Sequence, residues 1–272
     1  MGNKVAAIYN DDMPYHKDGY QFDQYLQSFI LGSNGYISNW EQEQYTNTSL
    51  VIRGLGGGSQ KAILHCWNTG RTFYAIDTGY FGNVGKTKTW HRITKNNLQL
   101  LDPIRERSDD RLKKILDYTY KKQTHGRKIL ICPPSEKVMN LFNQLDPESW
   151  TNRVVEQLKQ YTDRPIEIRL KPTRSERVST KTIEAALNDD VYCLITYNSI
   201  AAIEALMNGK PAIALGPNAA HTVCNTRLED IEKLYFPRKF EMTAFMCHLS
   251  YAQFTREEMQ DGTAWRILNE SS

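Results

Sequence analysis

The stretch richest in chemistry is TYNSIAAIEALMNGKPAIALG, residues 196–216. An apolar run ends at Tyr197, Asn198 and Ser199 fall in a turn, and a helical pattern begins at once; all three are expected to line a donor-binding site. A helix placed this way aims its free N–H groups and positive dipole end at whatever occupies the strand edge, which suits a phosphate. Ser199 reads either as a plain N-cap or as a donor to that phosphate. Glu204, further along a small apolar helix, either accepts hydrogen bonds from ribose hydroxyls or is an ordinary exposed acid. Upstream, RLKPTRSER places Arg169, Lys171, Arg174 and Arg177 at and just after the carboxyl end of a strand. Alternation puts Arg169 and Lys171 on one face, and Pro172 stops the ladder so that the cations turn into a crevice. Arginine grips phosphate bidentately and lysine as a point charge, so a diphosphate is the expected guest. The bland alternative is a basic strand edge that discourages aggregation. CPPS, residues 132–135, supplies a third strand-end loop, with Ser135 as a weaker candidate.

The first half offers a base and a backbone cradle. GLGGGSQ, residues 54–60, lacks both the GxGxxG fingerprint and the GK[ST] ending of a P-loop, yet Gly57 and Gly58 let a ligand approach the main chain closely. In AIDTGYFGN, Asp77 ends a strand and can serve as general base towards an acceptor hydroxyl. Asp18 and His16, in the early loop MPYHKDGY, are rivals for that role, and turn capping is the structural alternative for Asp77. The six histidines form no metal-binding spacing and no DxD pair follows a strand, so no dedicated metal site is expected; weak Mg²⁺ bridging of a donor diphosphate stays compatible.

Those groups sit in a chain of 272 residues whose net charge of +3 hides an asymmetry. The net charge is −2 over residues 1–83, +8 over 84–128 and −3 over 129–272. Lys86, Lys88, Arg92 and Lys95 follow a glycine-rich turn, and nine more cations from Arg105 to Lys128 continue through what reads as a helix. Such a block either neutralises the phosphates of a polyanion or forms a solvated helix face with i,i+4 partners. The five cysteines are scattered, without a CxxC pair. Cys66, Cys132 and Cys193 lie in apolar strand-like runs and are expected as buried hydrophobes, which fits a reducing cytoplasm. No apolar run approaches the ~18–20 residues of a membrane span, and the first residues lack a secretory pattern.

The elements that must position these groups alternate. Residues 128–134 read as a buried strand, 149–162 as an amphipathic helix, 165–172 as a strand, 180–190 as a short helix, 191–197 as a strand, 199–209 as a helix and 211–216 as a strand. This order argues a parallel, right-handed Rossmann-like domain. The first half looks like an abbreviated α/β unit, a polar hinge is expected near 121–128, and FTREEMQDGTAWRIL reads as a terminal helix broken at Gly262.

These segments resemble known families. SIAAIEALMNGKPAIALG resembles the carboxyl-terminal donor domain of GT-B glycosyltransferases, where a helix of the form xxEAxxxGxP follows a strand and its Glu holds the nucleotide ribose. RLKPTR resembles the strand-end motif by which capsule-type and Kdo-type transferases hold donor phosphates, with Thr173 where a His is common. GLGGGSQ, YAIDTGYFGN with WHRITKN, and FTREEMQDGTAWRIL resemble segments of small glycosyltransferase-like proteins of T4-like phages, including those proposed to place glucose or arabinose on 5-hydroxymethylcytosine in DNA.

The resemblance implies an α/β, GT-B-like fold: two Rossmann-like domains facing a central cleft, the N-terminal one abbreviated. Residues 1–125 would form the acceptor side, 126–250 the donor domain, and 251–272 a helix packing back on the first. It assigns Glu204 to the ribose, Ser199, Arg169, Lys171 and Arg174 to the diphosphate of a UDP-sugar co-substrate, and Asp77 to base catalysis. The hydroxymethyl group of modified cytosine in duplex DNA would be the acceptor, with Lys86, Lys88, Arg92 and Lys95 on the DNA backbone and the host cytoplasm as the location. The rival readings are a transferase acting on a capsule or lipopolysaccharide saccharide, and a non-catalytic nucleotide- or DNA-binding protein of the same fold.

Overall fold

A computed structural model describes residues 5–9, 23–56, 58–84, 88–171 and 182–270. In chain order the elements are β1 (Val5–Tyr9), α1 (Gln24–Ser33), β2 (Tyr36–Asn39), α2 (Trp40–Glu43), β3 (Ser49–Arg53), α3 (Gly58–Thr69), β4 (Phe73–Thr78), β5 (His91–Lys95) and α4 (Asp110–Ile115). There follow β6 (Lys128–Cys132), α5 (Glu136–Leu141), α6 (Pro147–Leu158), β7 (Ile166–Ile168), α7 (Ile183–Leu187), β8 (Val191–Thr196), α8 (Ala201–Met207) and β9 (Ala212–Ala214). The chain closes with α9 (Lys239–Ser250), β10 (Gln253–Phe254), α10 (Arg256–Gln260) and α11 (Thr263–Leu268). Two compact units result: Met1–Leu100 with Asp109–Leu116 and Leu249–Ser272, and Leu101–Ser108 with Asp117–His248.

The first unit holds a six-stranded sheet in the order β10-β5-β4-β3-β1-β2. Its β2, β1, β3 and β4 run parallel, while β5 pairs antiparallel with β4 and β10 antiparallel with β5. The second unit holds a four-stranded, wholly parallel sheet, β7-β6-β8-β9. Both parallel sets share one winding: the second strand lies outside the first, and the third and fourth continue on the other side. The direction of winding therefore reverses once in each, between β1 and β3 and between β6 and β8. At such a reversal the loops leaving the carboxyl ends part and open a crevice. The central strands are covered on both faces, which is why VAAIY, KILIC and VYCLIT are nearly unbroken apolar runs.

The carboxyl-terminal segment is built into the first unit. A Cβ at Gly32 of α1 would run into the Met259 carbonyl of α10, so only glycine permits that approach. Thr255 and Glu258 form a capping box at the start of α10, and Gly262, at φ 85°, separates it from α11, the break expected there. Arg111 of α4 grips both Glu258 oxygens (3.1 and 3.0 Å) and the Ser250 and Gln253 carbonyls. Burial pushes the Glu258 carboxyl up, but bonds from Arg111 and Lys114 outweigh it and hold the group below its usual range.

Three local expectations are corrected. The AILHCW run is part of α3, not strand-like: Ser59, Ala62, Ile63 and Cys66 are buried at helical spacing, and a short apolar run cannot distinguish the two periods. The expected helix through 105–128 shrinks to α4, since Pro103 and the Tyr118-Thr119-Tyr120 run favour extended chain on either side. The strand over 165–172 is only β7. Its partner β6 ends at Cys132, so after the Arg169 N–H bonds to the Ile131 carbonyl (2.8 Å) nothing remains to pair with. Arg169 and Lys171 therefore lie beyond the strand rather than alternating along it.

Candidate active site

Two loops leave the second unit's sheet at its reversal point, 132–135 after β6 and 197–200 after β8, and Arg169 emerges beside them from β7. Cys132 registers what surrounds this edge. Burial pushes its thiol up to about 12, with Arg169 pulling the other way and Glu204 and Glu167 adding to the rise. Arg169 and Glu204, 35 positions apart in sequence, both follow strands paired with β6: the Arg169 N–H bonds the Ile131 carbonyl (2.8 Å), and Glu204 lies in the first turn of α8 after β8. Both are half-buried, placed to meet a ligand without being lost in the core.

The turn after β8 is held from below. The Ser199 hydroxyl accepts from the Ala201 N–H (3.2 Å), which is local capping, and the Ser199 carbonyl accepts from the side-chain amide of Asn218 (3.0 Å). Asn218 is almost fully buried and also receives the Ala220 N–H (3.0 Å), tying the loops after β8 and β9 together. Helix α8 is only seven residues long, so its dipole offers a phosphate less than the sequence pattern led us to expect. Tyr197, expected among the donor-binding residues, is a core side chain. Gly216 lies flat on its ring, where any Cβ would collide, and Phe142 and Trp150 meet it edge-on at centroid distances of 5.8 and 6.3 Å. Asn198 is buried, Ser135 is exposed at the start of α5 with no side-chain cap bond, and Lys171 is exposed. Arg174 and Arg177 lie outside the described residues.

In the first unit the loop after β3 begins with Gly54 at φ 71° and reaches Gly58, the first residue of the twelve-residue α3. Gly57, like His16 and Asp18, lies outside the described residues. Asp77 is exposed at the carboxyl end of β4, where one carboxylate oxygen accepts from the Thr78 N–H (2.7 Å) and the other from the Arg92 guanidinium (2.7 Å). Arg92, expected on a DNA backbone, is instead interior. It also bonds the Thr78 carbonyl (2.8 Å) and lies over the Tyr80 ring. Next to it, Arg53 pairs with Asp23 and stacks 4.5 Å above the Tyr25 ring, whose other neighbour is His91, 3.8 Å between centroids. Burial, reinforced by Arg53, pushes His91 down to about 4, so its ring is neutral at pH 7. Sequence reading missed this Asp23-Arg53-Tyr25-His91 stack; an arginine ending a strand just before a glycine loop was the available signal.

The basic block dissolves in three dimensions. At least seven of its thirteen cations are held by carboxylates of this chain: Arg92 by Asp77, Arg111 and Lys114 by Glu258, Lys113 by Asp109, Lys121 by Glu184, Arg127 by Asp190 and Lys128 by Glu167. Lys95 lies over Tyr74 and reaches Asn269, at the opposite end of the sheet from Asp77. Lys88 is exposed, and Lys86 lies outside the described residues. Among the described residues no cluster of three or more His, Cys, Asp or Glu could hold a metal ion, and no helix is long and apolar enough to cross a membrane.

Parallel sheets, each with a single reversal and alternating with helices, define a mixed α/β protein of Rossmann-like architecture. No family model and no curated protein matches the chain. Among solved structures it is similar to Thermosulfurimonas dismutans KpsC, β-Kdo 2,4-transferase, over 91% of this chain and 90% of that one, with a TM-score of 0.51 and 12% identity. It is also similar to Thermosulfurimonas dismutans KpsC, β-Kdo 2,7-transferase, over 98% of this chain and 99% of that one, with a TM-score of 0.51 and 10% identity. Likeness at this level of identity is likeness of fold.

Proposed function

We propose that the protein is a nucleotide-sugar-dependent glycosyltransferase whose donor is held at the reversal point of the second unit's sheet. The observation that carries the reading is the placement of Arg169 and Glu204: the Arg169 N–H is on the Ile131 carbonyl at the end of β6, and Glu204 is in the first turn of α8, just after the strand paired with Cys132. A cation and a carboxylate at that edge match the two polar parts of a sugar nucleotide: the diphosphate for Arg169, with Lys171 and Arg174, and the ribose hydroxyls for Glu204. Ser135, Asn198 and Ser199 supply neutral hydrogen bonds there. An acceptor hydroxyl attacks the anomeric carbon, Asp77 takes its proton, and the C–O bond to the diphosphate breaks, the departing charge being met by the cations. That charge balance needs no obligatory metal. A UDP-sugar of glucose or arabinose type is the proposed donor.

For the acceptor, the likeness to Kdo transferases favours a saccharide hydroxyl. The hydroxymethyl group of modified cytosine in duplex DNA is a second reading, resting on the resemblance to phage proteins, and it requires the base to leave the stack. Internal pairing of at least seven of the thirteen cations of the basic block weakens the electrostatic footprint on which that reading leaned. Incubation with a panel of UDP-sugars and either hydroxymethylated duplex DNA or oligosaccharide acceptors, read by mass spectrometry, separates them. A mass gain on oligosaccharide supports the first acceptor and a gain on the nucleoside the second. Donor binding without a gain on either leaves a non-catalytic nucleotide-binding protein and overturns the proposal.

A further inference from the structure

We propose that the first unit carries a second ligand site, for a short neutral saccharide, at the amino-terminal edge of its sheet. A cavity of about 510 Å³ opens there, bounded by residues 44–49 before and at the start of β3 and by the end of α3 with the start of β4. It lies at the other end of the sheet from Asp77 and the glycine loop. Its size falls among small-ligand pockets, roughly 300–1,000 Å³.

The lining selects the ligand class. The lining is polar rather than an apolar wall: the Asn47 amide and the His65 imidazole are the groups left for a ligand, since the Thr46 hydroxyl is bonded to Glu43 and Arg71 and the Thr69 hydroxyl donates to the His65 carbonyl (2.8 Å). The one strong cation, Arg71, is already neutralised: it is buried against Glu43 (3.2 Å) and also bonds the Glu43 carbonyl, the Thr48 carbonyl and the Thr46 hydroxyl. No net charge is left to favour a phosphate or an ammonium. Tyr45, by contrast, is 85% exposed and contributes to the cavity wall. An uncommitted aromatic face beside an amide and an imidazole offers a pyranose both of its needs, a flat apolar surface for ring C–H groups and partners for its hydroxyls.

The cavity is also preformed. The Arg71 fork pins residues 43–48, the Thr46 hydroxyl bonds the Glu43 carboxylate (2.6 Å), and the His65 ring is set by Trp40 at a centroid distance of 5.1 Å. A rigid wall lowers the ordering cost that weak saccharide ligands can least overcome. The site does not depend on the donor reading, since a protein without transfer activity would keep it.

Isothermal titration of the full chain with maltotriose and with triacetylchitotriose tests this. Saturable binding of either is expected, at least tenfold weaker in Tyr45→Ala and in Asn47→Ala, and unchanged in Glu204→Ala. Tyr45 is solvent-exposed, so its variant keeps the fold, which circular dichroism verifies. Absence of saturable binding for both sugars, affinity unaltered in both cavity variants, or displacement of bound trisaccharide by UDP would each overturn the proposal. Tyr45-dependent binding in a protein that transfers nothing would uphold this site while the transferase reading fell.

Discussion

At Asp77 both carboxylate oxygens already accept a hydrogen bond, one from the next peptide and one from Arg92, so the group is aimed before any substrate arrives. If it takes the acceptor proton, Asp77→Asn lowers kcat by about 10²–10⁴-fold and leaves the donor KM within error; a kcat within about twofold of wild type would remove Asp77 from the chemistry. Glu204→Ala is expected to act on the proposed donor instead. Losing hydrogen bonds to a charged group costs about 1.5–3 kcal/mol, which raises the donor KM by roughly 10–100-fold. Residue types at strand ends were readable from sequence because turns and breakers flank them. Tyr197 was not, since nothing in YNS tells a ligand-facing ring from one lying under Gly216. Arg92 was misleading for a related reason: its partner Asp77 lies fifteen residues away across a hairpin.

Among elements, the carboxyl-terminal segment holds the connection that follows Asp77. Gln253 on β10 is fully buried, and its side-chain oxygen accepts the N–H groups of both Tyr80 and Phe81, while Gly79 leaves no room for a Cβ against it. The short β10 is therefore a splint for the β4–β5 connection, held in turn by Arg111 and Glu258. Arg111→Ala strands the buried Glu258 carboxylate and is expected to cost about 3–5 kcal/mol in denaturant unfolding. A loss under about 1 kcal/mol would mean that Lys114 and water suffice. The alternation of β6 through β9 with helices was legible because strands covered on both faces read as continuous apolar runs. Helix α3 was missed because its buried stripe is short, and β7 was overextended because a strand's length is set by its partner.

The whole molecule responds to acid through groups that burial keeps neutral. His91 is held neutral down to about pH 4, and burial also pushes His248 down, whereas in the unfolded chain both take a proton near 6.5. Their contribution is therefore intact above pH 6.5 and is lost as pH falls from 6.5 towards 4, with roughly 3 kcal/mol at stake for His91. The melting temperature is expected to fall across that window, and less steeply in His91→Phe. Equal slopes in both proteins would assign the loss elsewhere. Charge at this scale was the least legible property, since at least seven of the thirteen cations in a block with a net charge of +8 are paired with carboxylates, one of them 147 positions away. Duplex DNA binding, if any, should accordingly be weak and vanish by about 150 mM salt.

The central claim is a donor site at the β6–β8 reversal, and calorimetric titration of UDP into the wild type, Arg169→Ala and Glu204→Ala tests it most directly. The account predicts saturable binding to the wild type and at least tenfold weaker binding to each variant. No saturable binding to the wild type, or affinity unchanged in both variants, would contradict it.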